Sequence, residues 1–309
     1  MPRQQFSASD NYDSFENGLD AYEIGDFKTA LNYWVPLAEE GDVSALVQLG
    51  AMYMNGIGVT QDFEIAAKWY SLAAEQGDSG AQHILGCFYY TGIGVSPDER
   101  IARKWFSKAA ETGDPESQSC LGLIYLTGTG AQKDVDVAID WFTCAADQGY
   151  AVAQFTLGAL YDDGEEVPQN QVAAAKWYKL AADQGSASAQ NNLAILYRDG
   201  DGVAQNFKTA FDLYSLAAEQ ACIEAMHDLA DMYERGLGVQ RNLIAAYMWL
   251  DIAAAQGHED ASVDQIRIEN QLSYEDYSKA AKLAVEWVNR YNDRIQTQNV
   301  SSGGAIGRR

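Results

Sequence analysis

Tyr53, Tyr89, Tyr125, Tyr161, Tyr197 and Tyr233 follow one another at intervals of 36 residues. Leu49, Leu85, Leu121, Leu157, Leu193 and Leu229 keep the same interval, as do Gly41, Gly77, Gly113, Gly149, Gly185 and Gly257, with Ala221 standing in once. A ring series, Tyr33, Trp69, Trp105, Trp141, Trp177 and Trp249, runs in the same register and is interrupted only by Leu213. A period this long, held without an insertion, means one supersecondary unit stacked on copies of itself, because a single unit cannot bury its own apolar face. The 309 residues therefore read as one array and not as two domains of ordinary size.

Each unit divides into two helices. In the second unit the spacing predicts a first helix over Ser79–Thr91, with Ala81, Leu85 and Tyr89 four apart on one face. It stops at Gly92-Ile93-Gly94, where glycine enters the left-handed conformation without steric penalty. The second helix starts after a short side-chain acceptor, Asp26, Asp62, Asp98, Asp134, Asn170, Asn206 or Asn242, each able to cap orphan N–H groups for about 1 kcal/mol. It then presents Ala66, Trp69, Tyr70, Ala73 and Ala74 before Gly77. Asp42, Asp78, Asp114 and Ser186 read as caps of the following helix, and Pro115 sits at a first helical position, where its missing N–H costs nothing. Small residues such as Gly86 are expected opposite Ala66, with the Trp and Tyr ladder as buried packing between them. Six full units run 42–77, 78–113, 114–149, 150–185, 186–221 and 222–257.

The expected fold is all-α, a right-handed α-solenoid of six helix-turn-helix repeats with atypical capping helices, since end units have one face in water. Its organisation is a disordered N-terminus over 1–14, a partial capping repeat over 15–41, the six repeats over 42–257, closing helices over 258–292 and a flexible tail over 293–309. Glu259–Asn270 and a helix after Ser273, about Tyr274–Arg290, form the closing pair.

Composition limits the partners. Forty-four acidic against 21 basic residues give a net charge of −23, which opposes an electrostatic grip on nucleic acid or anionic lipid. A hydrophobic fraction of 47% is too high for a disordered acidic chain. No stretch approaches the 18 apolar residues of a membrane span, and Met1–Gly18 lacks a signal-peptide core. A cytoplasmic protein is therefore expected, with the periplasm or secretion as the alternative if a leader precedes this sequence.

Ala81-Gln82, Leu85-Gly86, Tyr89 and Gly92-Ile93-Gly94-Val95, together with the second-helix pattern Ala66, Trp69-Tyr70, Ala73-Ala74 and Gln76-Gly77 just before them, resemble the Sel-1-like repeat of bacterial proteins. Gly18-Leu19-Asp20-Ala21-Tyr22 and Ala246-Tyr247-Met248-Trp249-Leu250 resemble the usual ends of such arrays. The resemblance covers roughly residues 18–290. It implies a tetratricopeptide-like solenoid and a non-enzymatic adaptor that assembles or regulates protein complexes. A cysteine-rich, secreted branch of that family is credited with β-lactam binding or hydrolysis, which is the alternative reading. Its regular cysteine pairs are missing here, because Cys87, Cys120, Cys144 and Cys222 fall at four different repeat positions. Three departures mark the fourth and fifth units. Glu166 replaces the second turn glycine, Ala221 a helix-ending glycine and Leu213 a tryptophan.

No constellation of catalytic residues rises above the repeat background, and neither cofactor nor metal is expected. The recurrent Gly-x-Gly turns follow no strand, so they read as turns and not as phosphate loops. His83 and His227 are four units apart; Glu224 and Asp231 flank His227 at i−3 and i+4, yet a solvated histidine is the expectation for both.

What varies inside the constant frame carries the functional reading. If first helices line the concave side, the positions two before and two after the repeat leucine, and the one after the repeat tyrosine, face a groove. In the first four units these are Val47, Ala51 and Met54; His83, Cys87 and Tyr90; Ser119, Leu123 and Leu126; Phe155, Ala159 and Asp162. In the last two they are Asn191, Ile195 and Arg198; His227, Asp231 and Glu234. The groove is thus apolar toward the N-terminus and polar toward the C-terminus, and is expected to take a peptide or helix of a protein partner. Asp162, Asp163, Glu165, Glu166, Asp199 and Asp201 form an acidic edge at the fourth and fifth turns, read as solvated.

Overall fold

In the computed structural model, residues 8–303 are described, with side chains for 14–298. The expectations for residues 1–7 and 304–309 lie outside the described residues. All regular structure in the described part is α-helical, in sixteen helices. The chain forms two compact units, Met1–Tyr150 and Ala151–Arg309, where the unbroken period implied a single array. The division falls at Tyr150, whose ring cannot supply the short oxygen that Asp42, Asp78 and Asp114 bring to the same repeat position.

The first unit contains α1 (Ala8–Glu23), α2 (Phe27–Glu39), α3 (Val43–Asn55), α4 (Phe63–Glu75), α5 (Ser79–Thr91), α6 (Glu99–Glu111), α7 (Pro115–Thr127) and α8 (Val135–Asp147). The second contains α9 (Ala151–Asp163), α10 (Gln171–Asp183), α11 (Ala187–Asp199), α12 (Phe207–Ala218), α13 (Ile223–Arg235), α14 (Leu243–Ala255), α15 (Glu259–Glu269) and α16 (Tyr274–Gly303). Within each unit consecutive helices pack as hairpins, and each hairpin stacks on the next. Odd-numbered helices from α3 to α13 are the first helices of the repeats.

The caps form where their sequence positions require. Asp42, Asp78 and Asp114 accept from the backbone N–H three residues on at 2.8, 2.7 and 2.7 Å; Asp62, Asn170, Asn206 and Asn242 do the same for the second helices at 2.9 to 3.1 Å. Cys222 makes no side-chain cap bond. First helices end on a left-handed glycine, as at Gly92, φ 77°. The second turn glycine has a different cause. A Cβ on Gly94 would lie 2.3 Å from the carbonyl oxygen of Phe63, so only glycine allows the turn to rest on the preceding repeat. Glu166 at the equivalent place does not take a positive φ, so that turn follows another path.

The core corrects the expected pairing. Gly86 faces a ring and not Ala66: a Cβ there would lie 2.7 Å from Phe106. Gly50 meets Tyr70, Gly122 meets Phe142 and Gly158 meets Tyr178 in the same way. The fully buried rings are therefore Tyr70, Phe106, Phe142, Tyr178 and Tyr214, each one residue after the position where the tryptophan ladder was expected to fill the core. Trp69, Trp105, Trp141 and Trp177 are half-buried, and Tyr33 is 37% exposed beside a fully buried Trp34. One residue is 100° of helix rotation, which carries the tryptophan to the rim of the stripe made by Ala66, Tyr70, Ala73 and Ala74. There Trp105 receives the Lys108 ammonium 4.2 Å from its ring centre.

A glutamine ladder ties hairpin to hairpin. Gln82, Gln118 and Gln190 are buried and donate to the carbonyls of Ala74, Ala110 and Ala182, in the last turn of the preceding second helix, at 3.0, 3.3 and 3.2 Å. Gln148, Gln184 and Gln220 close the other side, donating to the Oε1 of Gln118, Gln154 and Gln190 at 2.7, 2.8 and 2.8 Å. These helix-end carbonyls also accept from the N–H of Gly77, Gly113 and Gly185, so each glutamine is a second donor to them. The second unit of the period breaks the ladder. Thr112 stands where the donor glutamine belongs, and the Oε1 of Gln82 is buried without a partner.

At the C-terminus, Ser273 Oγ accepts from the Asp276 N–H at 3.1 Å and starts α16. Ala280, Ala284 and Trp287 are buried in the core that also contains Trp249, and Trp287 meets Trp249 edge-on at 5.5 Å. The helix continues to Gly303, well beyond the expected end.

Two substitutions test this account. Ala221 holds a left-handed φ of 65°, so Ala221→Gly is expected to stabilise the protein by about 1 kcal/mol, read as a higher denaturant midpoint at unchanged slope. Thr112→Gln, in the αR conformation that Gln76 also adopts, is expected to satisfy Gln82 and add about 1 kcal/mol. The same change at Ser71, away from the ladder, serves as the control.

Candidate functional site

In the first unit the variable positions of α3, α5 and α7 form an apolar face. Val47, Met54 and Leu126 are half-buried, while Tyr90 is 38% and Leu123 44% exposed. Tyr90 also borders an open depression of about 360 Å³ shared with Pro97, Asp98, Glu99 and Arg100. Ser119, expected beside Leu123, is buried instead at 8% exposure.

His83 is not solvated. Its Nδ1 lies 2.9 Å from Ser117 Oγ and 3.6 Å from an Asp114 oxygen, its Nε2 lies 3.4 Å from Glu116 and 3.5 Å from Cys87 Sγ, and its ring tilts against Phe106. Burial raises the Cys87 thiol, with the Glu116 and Asp114 charges adding to it; burial pushes Cys120 up to about 12. Both are thiols at neutral pH, which makes them poor nucleophiles. All four cysteines are free, Cys144 exposed and the other three half-buried.

In the second unit the polar positions bind one another. Arg198 donates to both oxygens of Asp199, at 2.8 and 2.9 Å, and to Asp228 of the next repeat at 3.1 Å; these bonds lower the Asp199 carboxyl. His227 Nε2 lies 3.0 Å from Asp264, not against Glu224, and its ring stacks on His258 at 4.7 Å. Asp264 and Glu234 both hold Arg267, and Asp231 pairs with Arg235 at 3.1 Å. Asn191 is 7% exposed and bonds Asn192 at 3.2 Å, so it lines no open groove. Phe155 is half-buried, its ring 5.8 Å from that of Tyr178.

The acidic edge is only partly solvated. Asp163, Glu165, Glu166, Asp199 and Asp201 are exposed, whereas Asp162 is half-buried and accepts from the Tyr178 hydroxyl at 3.3 Å. Burial, with the charges of Asp201 and Asp163, raises the Asp162 carboxyl despite that bond. Among the described residues no three His, Cys, Asp or Glu side chains converge as a metal site requires, and no described helix is long and apolar enough to cross a membrane.

The partners that the sequence did not reveal, Ser117, Asp228 and Asp264, come from the following hairpin. They lie 34, 30 and 37 residues from the groups they bind. Reading residues within about two helical turns of one repeat length is the signal that finds them.

A raised carboxyl favours the protonated folded state, so its stabilising influence is present at low pH and is lost as pH rises through the folded value. Asp162→Asn is accordingly expected to be more stable than wild type at pH 7, with the difference in melting temperature shrinking toward about pH 3, below the ordinary carboxylate range.

The Sel1 repeat family matches six consecutive segments, 43–78, 79–114, 115–150, 151–186, 187–222 and 223–258, one residue later than the period alone suggested. A Sel1 repeat protein from Oxalobacter formigenes is 31% identical, over 78% of this chain and 96% of that one, with a TM-score of 0.67. The uropathogenic Escherichia coli protein c5321, a protective antigen with the same repeat fold, is 29% identical over 93% of this chain and 70% of that one, with a TM-score of 0.58. No curated protein matches the chain. With six matched repeats and two solved relatives of the same build, the chain belongs to the Sel1 repeat family.

Proposed function

We propose that the protein is a non-catalytic scaffold whose first unit takes an apolar segment of a protein partner along the face carrying Met54, Tyr90, Leu123 and Leu126. Sel1 repeats generally serve as protein-interaction scaffolds, and what supports this particular face is the exposure of Tyr90 and Leu123. The repeat core is complete without them. Its buried positions include the leucine and the glycine or alanine of each first helix, and a ring or leucine of each second helix, so selection for packing does not explain a tyrosine and a leucine at the surface.

Charge narrows the occupant. Residues 1–150 hold 22 acidic and eight basic side chains, and Asp98 and Glu99 stand beside Tyr90. An amphipathic segment with apolar residues on one side and lysine or arginine on the other fits both features. The second unit contributes stiffness more than recognition, because Arg198, His227, Asp231 and Glu234 already have partners within it.

A panel of synthetic amphipathic helices, identical on the apolar side and basic or acidic on the other, tests this by fluorescence anisotropy. Wild type is expected to bind the basic set with micromolar affinity that weakens with added salt, and Tyr90→Lys/Leu123→Lys to bind about tenfold or more weakly at unchanged circular dichroism. Equal binding by both proteins, or preference for the acidic set, removes the proposal.

A further inference from the structure

α6 breaks the charge pattern of the protein. Residues 1–150 hold eight basic side chains, and four of them, Arg100, Arg103, Lys104 and Lys108, fall within the 13 residues of this one helix. Against them stand two acids, Glu99 and Glu111. Arg100, Lys104 and Lys108 recur at intervals of four and so form one stripe. Like charges at that spacing destabilise a helix, and Arg100 stands in the first turn, where the positive end of the helix dipole opposes a cation. Elsewhere the chain does the reverse. Lys179 with Asp183, Lys208 with Asp212, Asp231 with Arg235 and Lys282 with Glu286 are ion pairs at the same spacing. On α6, Lys108 lies over the Trp105 ring, and among the described residues no carboxylate pairs with any of the four bases. The Arg103 Nε is buried without an acceptor, at a position where α4 and α10 carry Ala67 and Ala175. The repeat therefore packs without that arginine, and four cations kept against the helix's own stability point to an anionic ligand.

The surroundings limit the form of that anion. From Arg100 to Lys108 the stripe rises about 12 Å. The next second helix, α8, holds Asp136, Asp140 and Asp147 and no base, so a nucleic acid or an anionic bilayer reaching beyond α6 meets repulsion. A short segment does not. Ile101, 36% exposed, and the half-buried Trp105 follow Arg100 and Lys104 by one residue and lay an apolar strip beside the basic one. A helix with glutamate or aspartate at every fourth residue and a leucine strip alongside matches both in spacing and in charge.

We infer that α6 docks an acidic amphipathic helix of a partner protein, its carboxylates on Arg100, Lys104 and Lys108 and its apolar side chains on Ile101 and Trp105. The site lies on a second helix and takes the charge opposite to that proposed for the face of α3, α5 and α7, so either can fail without the other; Arg100 is the residue that also borders the depression at Tyr90. The probe is a labelled helical peptide with glutamate at every fourth position beside a leucine strip, compared with its glutamine counterpart by fluorescence anisotropy on the full chain. Wild type is expected to bind the glutamate peptide with a dissociation constant of about 50 µM and the glutamine peptide about tenfold or more weakly, a difference that vanishes as sodium chloride rises from about 50 to about 500 mM. Arg100→Glu/Lys104→Glu, at two exposed positions, is expected to bind the glutamate peptide about tenfold or more weakly at unchanged circular dichroism. Arg100→Gln/Lys104→Gln is expected to lose the peptide as well while melting higher than wild type, because it relieves the repulsion along the stripe. Lys28→Glu/Lys176→Glu makes the same change in net charge at exposed positions on α2 and α10 and is expected to bind as wild type does. Tyr90→Lys/Leu123→Lys is expected to lose the basic helices and keep the glutamate peptide. Equal binding of the two peptides by wild type, or α6 variants that bind as wild type does, overturns the inference. So does an equal loss in Lys28→Glu/Lys176→Glu, which makes the attraction one of net charge alone, or a single-stranded oligonucleotide that displaces the labelled peptide at lower concentration than the unlabelled peptide does.

Discussion

The contact on which each hairpin depends is a ring of the second helix lying on a patch of the first helix that has no side chain. Tyr70 rests on Gly50, Phe106 on Gly86, Phe142 on Gly122, Tyr178 on Gly158, and Trp34 on Gly18 in the opening hairpin. Removing the side chain from one helix lets the ring sit against backbone, and each ring buried this way contributes about 2–3 kcal/mol of apolar transfer free energy. In the last two repeats alanines, Ala194 and Ala230, take the glycine position and still leave Tyr214 and Leu250 buried. The close approach fixes the separation of the two helices, and with it the positions of the leucines and the buried glutamines that stack one hairpin on the next.

That arrangement uses a small, repeated set of positions and frees the rest. Freed positions diverge differently in the two units. In the first they keep apolar side chains at the surface, Tyr90 and Leu123 among them. In the second they form ion pairs and hydrogen bonds from one hairpin to the next, such as Arg198 with Asp228 and His227 with Asp264. Partly buried charge pairs of this sort hold hairpins in register, and breaking one partner leaves the other desolvated and alone. The same repeat position thus holds an exposed ring at Tyr90 and an ion-paired side chain at Arg198.

Charge distribution adds a further division of labour. The 44 acidic residues divide evenly between the two units, which differ in basic ones, eight against 13, while α16 is neutral and carries exposed valine and isoleucine. In the proposed reading, an excess of acidic charge favours a basic partner segment.

The sequence by itself determined the helix pairs, their boundaries to within a residue in the repeats, the caps, the left-handed strain at Ala221 and the unusual turn at Glu166, as well as the family. All of these are set by residues a few positions apart, through hydrogen bonds and backbone conformations that repeat with the period. Which ring is core and which is rim depends on 100° of helix rotation against a neighbour, so Trp69, Trp105, Trp141 and Trp177 sit one residue off the core, while Trp249 is buried as the ladder implied. The partners of His83, Arg198 and His227 lie 30 to 37 residues away, on a helix whose stagger no local rule gives. The tertiary structure alone decided those pairings, the burial of Asn191, and the exposure of Tyr90 and Leu123. Side-chain environments are fixed by how helices are rotated and offset when they stack, and a one-dimensional period leaves both quantities free.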